Sequence, residues 1–148
     1  MPLPAFNPIG DLPPGIHRAT LQEAKVRFGR GSARRRLLVQ RMERIYGIAS
    51  STGHLARFIV FGSFVTDKPE PNDVDLFFLM DDAFDVGRLT GESRLLFDHA
   101  AADTHFGASV FWVRRVAALG GEQAMVESWQ IKRDGEERGV VEIVPRVP

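Results

Sequence analysis

Apolar residues recur along the chain at two spacings, and together these predict a domain of mixed helices and strands. Two runs of β-branched and aromatic residues, "ARFIVFG" at 56–62 and "DVDLFFLM" at 73–80, are typical of buried strands. Neither strand can continue through 67–72, because two prolines and an asparagine lie there. We therefore expect two consecutive strands joined by a loop, with further strands at 108–113 and 140–144.

Apolar residues at helical spacing predict four helices. "TLQE" at 20–23 is a capping box and begins a short helix, and Ser32 is an N-cap for a longer one from 33 to about 48. Two more helices are expected at 90–103 and 122–132. The polar side of the long helix is expected to carry five arginines: Arg34, Arg35, Arg36, Arg41 and Arg44. This order of elements indicates an α/β or α+β fold, with a mixed β-sheet flanked by helices.

Composition limits the chain to one ordinary folded domain. It has 148 residues, of which 44% are hydrophobic and 26% are charged. Five prolines and two glycines fall within the first fifteen residues, so residues 1–19 are expected to form an extended arm and residues 20–148 the domain. There is no cysteine, which excludes disulfides, thiolate zinc sites and a cysteine nucleophile.

Charge and hydropathy give no general signal for nucleic acid or membrane. Nineteen basic residues balance nineteen acidic ones, so no net field attracts the chain to an anionic surface. No apolar run approaches the roughly 20 residues of a membrane span, and the first residues do not read as a signal peptide. We expect a cytoplasmic protein. The arginines at 34–36 are interpreted as a solvated helix face rather than a phosphate site.

Two aspartates stand where the second apolar run begins. Residues two apart in a strand share a face, so Asp73 and Asp75 are expected to point the same way, with Val74 turned into the core. Two neighbouring carboxylates repel each other, and a divalent cation removes that cost. Mg²⁺ prefers a few carboxylate oxygens together with substrate phosphates. The pair is therefore a candidate catalytic and metal-binding site, and the other interpretation is a solvated junction between loop and strand.

A Gly-Ser pair ends the first apolar run. Glycine lets a backbone approach a ligand closely, and a turn after a strand presents amides and a hydroxyl to phosphate. Gly62 and Ser63 are therefore candidate nucleotide-binding residues. Thr66 and Lys68, in the loop that follows, are further candidates for phosphate contact.

These residues carry a resemblance. Gly62-Ser63, followed after nine residues by Asp73-x-Asp75 and an apolar strand, resembles the signature of the DNA polymerase beta-like nucleotidyltransferase superfamily. The string "GSFVTDKPEPNDVDLFFL" also resembles a group of small uncharacterised bacterial proteins assigned to it. The resemblance implies that Gly62 and Ser63 hold the triphosphate of an NTP. It also implies that Asp73 and Asp75 ligate two Mg²⁺ ions, and that an NMP group is transferred to a hydroxyl.

The chain departs from the superfamily at one position. A third carboxylate usually lies on a later strand, and the matching run "GASVFWV" contains no acid. The candidates to replace it are Asp103, His105 and Glu142. The NMP group is expected to pass to a protein, an RNA or a small molecule, and the resemblance implies a toxin–antitoxin or defence setting in which the acceptor is a partner protein or tRNA. The alternative is a catalytically degenerate module that binds a nucleotide or a partner.

Overall fold

Five strands form one mixed β-sheet in the computed structural model, which describes residues 3–146. The spatial order of the strands is β1-β5-β2-β3-β4. Their bounds are β1 (Ile16–Ala19), β2 (Leu55–Phe61), β3 (Asp75–Met80), β4 (Ser109–Arg114) and β5 (Val140–Ile143). β2 is antiparallel to both β3 and β5, whereas β3 and β4 run parallel, as do β1 and β5.

Among the described residues, five α-helices accompany the sheet, and the longest follows the first strand and a short helix. They are α1 (Leu21–Phe28), α2 (Ala33–Ser51), α3 (Gly91–Leu96), α4 (His99–Phe106) and α5 (Glu122–Ser128). Within residues 3–146, no helix is both long and apolar enough to cross a membrane.

The two faces of the sheet bury different sets of side chains. Leu76, Phe78 and Met80 of β3 join the larger core, which α1 to α4 complete. Phe77 and Leu79 point to the opposite face and pack with Val126 of α5 in a smaller core. Because strand residues alternate between faces, Asp75 lies on the same face as Phe77. The charged end of β3 therefore faces the side that α5 covers only in part.

Most expected elements are confirmed. The α+β class, the mixed sheet and the adjacency of the first two predicted strands are as expected. Thr20 and Glu23 form the reciprocal capping box. The Ser32 hydroxyl caps α2 by accepting from the Arg35 amide.

Three differences from the expected elements are the largest. Residues 16–19, assigned to the arm, form β1, because they pair with β5 in a contact that only the tertiary structure supplies. The helix expected at 90–103 divides into α3 and α4, since the Asp98 carboxylate caps a new helix by accepting from the Ala101 amide. α5 ends at Ser128, and the chain then turns into a short hairpin closed by an Ile131–Glu137 bridge.

Arg35 is not on the solvated side of α2. It is only 5% exposed, and its guanidinium donates five hydrogen bonds of 2.6–3.1 Å to backbone carbonyls. The acceptors are the carbonyls of Phe28, Phe64, Thr66 and Lys68. Arg35 therefore fixes the backbone that follows Ser63.

Replacing Arg35 by methionine is expected to lower the free energy of unfolding by about 3 kcal/mol, because several buried carbonyls lose their donor. Urea denaturation measures this. The matched control is Arg36→Met on the exposed side of the same helix, expected within about 0.5 kcal/mol of wild type. Equal stability of the two variants would contradict the assigned role.

Candidate functional site

An open cleft of about 750 Å³ lies at the ends of β2 and β3. Five of the six predicted site residues line it: Gly62, Ser63, Lys68, Asp73 and Asp75. One wall is the Gly-Ser turn and its loop, and the other is the hairpin that follows α5. Segments nearly 70 residues apart in the chain thus meet around the aspartate pair.

Asp73 and Asp75 meet in this cleft although only Asp75 belongs to a strand. Val74 between them is fully buried, as expected, so both neighbours turn toward the cleft. Asp73 is exposed and Asp75 is half-buried. Burial raises the pKa of Asp75 above its ordinary value, and the negative charge of Asp73 raises it further. Arg138, the Ser109 hydroxyl and Arg133 act in the opposite direction.

Gly62 is required by both conformation and space. Its φ of 80° lies in the region that favours glycine. A Cβ built on it would overlap Asp75 Oδ2. Asp75 faces Phe61 across the antiparallel pair, so its carboxylate lies directly against the Gly62 backbone. Any side chain at position 62 would displace the carboxylate that the cleft presents.

Four cationic side chains line the cleft around the carboxylates: Lys68, Lys132, Arg133 and Arg138. Sequence reasoning found Lys68 alone. The other three belong to the segment "IKRDGEERG" at 131–139, whose only local signal is a charged turn. Their approach to Asp75 depends on β5 pairing with β2, which brings the hairpin beside the Gly-Ser turn.

The N-terminal arm joins the two walls. Its Asp11 is 5% exposed and pairs with Lys132 at 3.1 Å and Arg138 at 3.6 Å. Gly10 O accepts from the Asp67 amide on the opposite wall. Leu12 O accepts from the Gly139 amide, next to the hairpin. The arm thus connects the loop after Ser63 to the cationic hairpin and sets their separation.

Four candidate residues lie outside the cleft lining. Thr66 is buried, and its hydroxyl donates to Ser63 O while accepting from the Lys68 amide, so it shapes the loop. Asp103 is exposed on α4. His105 contacts Glu92 at 2.9 Å. Glu142 is buried and accepts two hydrogen bonds from Arg57.

Ser109 occupies the register position opposite Asp75 on the neighbouring strand. No group of three or more His, Asp or Glu side chains within residues 3–146 is arranged to hold a metal ion. The cleft lining does include one further acid that sequence reasoning did not consider, Asp134 in the hairpin. The carboxylates available to a cation are therefore Asp73 and Asp75, with Asp134 on the opposite wall.

Comparison with known protein families assigns the chain to one family. Residues 4–144 match the family described as "Family of unknown function (DUF6932)", and the chain belongs to this family. No curated protein and no solved structure matches it.

Asp75→Asn is expected to stabilise the protein at pH 7 by about 0.5–2 kcal/mol, the usual range for relieving an unfavourable site. A raised pKa in the folded state means that ionised Asp75 opposes folding. The free energy of unfolding of the wild type therefore falls as pH rises from the pKa of Asp75 in the unfolded chain, about 3.9, through its higher pKa in the folded protein. The difference in stability between Asp75→Asn and wild type therefore becomes smaller toward low pH. Thermal unfolding of both proteins from pH 4 to 8 measures this difference.

The control for that substitution is Asp103→Asn on exposed α4, expected to change stability by less than about 0.5 kcal/mol. A wild-type protein more stable than Asp75→Asn at pH 7 would contradict the assigned environment of Asp75.

Asp11→Asn is expected to destabilise the protein by about 1–3 kcal/mol, because Lys132 and Arg138 lose a mostly buried counter-charge. Chemical denaturation measures the loss. Glu43→Gln, which removes the more exposed ion pair with Lys25, is the control and is expected to cost less than about 1 kcal/mol. Similar losses for the two variants would show that the arm does not hold the hairpin.

Proposed function

We propose that this protein is a magnesium-dependent nucleotidyltransferase with a DNA polymerase beta-like fold, which transfers an NMP group from an NTP to a hydroxyl. The observation that carries the proposal is the meeting of Gly62-Ser63 with Asp73 and Asp75 in one cleft, opposite a cationic wall. Carboxylates for a cation and cations for phosphates are the two requirements of phosphoryl-transfer chemistry.

The residues present fit Mg²⁺. This ion is commonly held by one or two protein carboxylates, completing its shell with waters and substrate phosphates. The electrostatic strain at Asp75, which raises its pKa beside Asp73, is what a bound cation relieves. When bound, the metal would neutralise charge on the phosphates and orient the attacking and leaving oxygens.

The cationic side chains have a clear role toward a triphosphate. Lys68 approaches from the Gly-Ser wall, and Lys132, Arg133 and Arg138 approach from the hairpin. An arginine pairs well with two phosphate oxygens at once, whereas a lysine acts as a point charge. The Gly62 backbone, lacking a side chain, leaves room for the phosphates beside Asp75. Together these groups position the substrate for in-line attack.

The proposed step is a substitution at the α-phosphorus. The acceptor hydroxyl oxygen forms a bond to phosphorus, and the bond to the α–β bridging oxygen breaks. Pyrophosphate departs with the electron pair of that bond. The hydroxyl proton passes to a basic oxygen in the cleft, whose carboxylates are Asp73, Asp75 and Asp134. The acceptor hydroxyl belongs to a protein, an RNA or a small molecule, and the resemblance implies a toxin–antitoxin or defence setting.

A second candidate function is nucleotide sensing without transfer. The observation that favours it is β4, the strand on which the resemblance implies a third acid: the candidates for that position are Ser109, which pairs with Asp75 in the register, and Phe111, and neither is an acid. A serine there can donate a hydrogen bond but does not accept a proton at neutral pH. Under this alternative the cleft binds an NTP and the protein acts through the bound state.

Isothermal titration of ATP, GTP, CTP and UTP with Mg²⁺ tests binding. We expect at least a tenfold loss of affinity in Asp73→Ala/Asp75→Ala and in Gly62→Ala, the second because its Cβ displaces Asp75. Asp103→Ala is the control and should bind like wild type. Incubation of the protein with α-labelled NTP and cell lysate then tests transfer.

Label that moves to an acceptor with wild type but not with the double variant supports the transferase. Magnesium-dependent binding without label transfer would favour the sensor. Absence of any nucleotide binding by the wild type would contradict both candidates.

A further inference from the structure

We propose that three aromatic side chains of the cleft form a stacking platform for a purine base. The platform consists of Phe61, Phe111 and Trp129, and all three line the same cleft as the aspartates. The inference rests on the proposed function, because it gives a binding site to the base of the nucleotide whose phosphates contact Gly62 and Ser63. It goes further than the proposed function because it names purine nucleotides as the substrate class and three aromatic residues as the groups that bind the base.

The three rings are arranged as one continuous surface. Phe61 and Trp129 lie 4.6 Å apart between centroids, and Trp129 and Phe111 lie 5.3 Å apart. Their planes are inclined by only 34° and 35°. Phe77 supports Trp129 from the smaller core at 5.0 Å, and His99 supports Phe111 at 4.7 Å. Aromatic rings prefer offset stacking at such distances, so a flat ligand ring can extend the cluster.

The platform is partly exposed to solvent, whereas aromatic clusters in a protein core are buried. Phe111 is 38% exposed on β4, which is an edge strand of the sheet. Phe61 and Trp129 are half-buried. Burying exposed apolar area is favourable at roughly 25 cal/mol per Å², so a planar ligand would gain by covering Phe111.

Trp129 is held by stacking rather than by a hydrogen bond. Its Nε1 is buried and has no hydrogen-bond partner among the residues that the structure describes. Trp112, by contrast, donates from Nε1 to Phe97 O at 2.7 Å and is fixed in the larger core. No polar contact would therefore be broken if the Trp129 ring shifted on a bound base.

The platform lies at the right distance from the phosphate residues. Phe61 directly precedes Gly62 in the chain, and Phe111 follows Ser109 by two positions on the same face of β4. Two positions along a strand span about 6.5–7 Å. Phe61 pairs directly with Asp75 across β2 and β3, and Phe111 lies one strand over from Asp75 and two positions further along. The platform therefore begins about 5 Å from the backbone of Asp75 and extends to about 8 Å from it. A ribose spans such a gap between a base and its first phosphate.

Stacking on this platform favours purines but distinguishes adenine from guanine weakly. Base–aromatic stacking depends on ring area and tolerates different bases, and a purine covers more of the platform than a pyrimidine does. The neighbouring Gln130 has its Oε1 engaged by the Gly15 amide, which removes one acceptor from base readout. We therefore expect ATP and GTP to bind with similar affinity, and both more tightly than CTP and UTP.

The test compares ATP with inorganic tripolyphosphate, which has the phosphates but no base. Both are titrated with Mg²⁺ into wild type, Phe111→Ala and Phe111→Tyr, with circular dichroism to verify folding. We expect roughly tenfold weaker ATP binding in Phe111→Ala, with wild-type ATP affinity in Phe111→Tyr. Tripolyphosphate affinity should be the same in all three proteins.

A second readout leaves the three platform side chains unchanged. In a Trp112→Phe protein, Trp129 is the sole tryptophan, and its fluorescence should be quenched by ATP and GTP but not by tripolyphosphate. This measurement tests the platform even if Phe111→Ala does not fold.

Two outcomes overturn the inference separately from the proposed function. If Phe111→Ala binds ATP as tightly as wild type does, or loses as much affinity for tripolyphosphate as for ATP, the platform does not bind the base. Either result would leave the proposed phosphate site unaffected. Failure of the wild type to bind either ATP or tripolyphosphate would instead remove the proposed function, and the platform with it.

Discussion

The close approach of the Asp75 carboxylate to the backbone of Gly62 is the contact on which the cleft depends. A carboxylate half-buried beside Asp73 is unfavourable without a cation, and it can occupy this position only because residue 62 has no side chain. Val74, fully buried between the two aspartates, fixes their direction. A fold that maintains such repulsion at one end of its sheet sacrifices stability locally, which is a common property of functional sites.

The walls of the cleft are held by two buried charged residues that do not line it. Arg35 is a buried residue of α2, and it fixes the backbone from Phe64 to Lys68 through its hydrogen bonds to carbonyls. Asp11 of the arm forms ion pairs with Lys132 and Arg138 on the other side, and the hairpin keeps a net positive charge toward the cleft. Arg35 acts on the wall formed by the Gly-Ser turn and its loop, and Asp11 acts on the hairpin. The backbone hydrogen bonds of the arm connect these two walls. The cleft is therefore assembled by three distant parts of the chain, two of which are ordered through buried charges.

Local sequence patterns predict the elements that carry the aspartates, but not the wall that faces them. The strands at β2 and β3, the cap at Ser32 and the burial of Val74 follow from alternation, capping and apolar runs. β1 and the cationic hairpin depend on pairing with β5, a contact between distant segments for which single-sequence patterns carry no signal. Arg35 was misassigned because helical spacing does not distinguish a solvated arginine from one buried against carbonyls.

The central claim is that Asp73 and Asp75 hold a divalent cation together with a nucleotide. Its most direct test is anomalous diffraction from crystals grown with Mn²⁺ and a non-hydrolysable purine triphosphate. A manganese peak is expected roughly 2.0–2.6 Å from carboxylate oxygens of both aspartates, with the triphosphate as a further ligand of the same ion. A nucleotide bound elsewhere, or manganese that contacts neither aspartate, would contradict the claim.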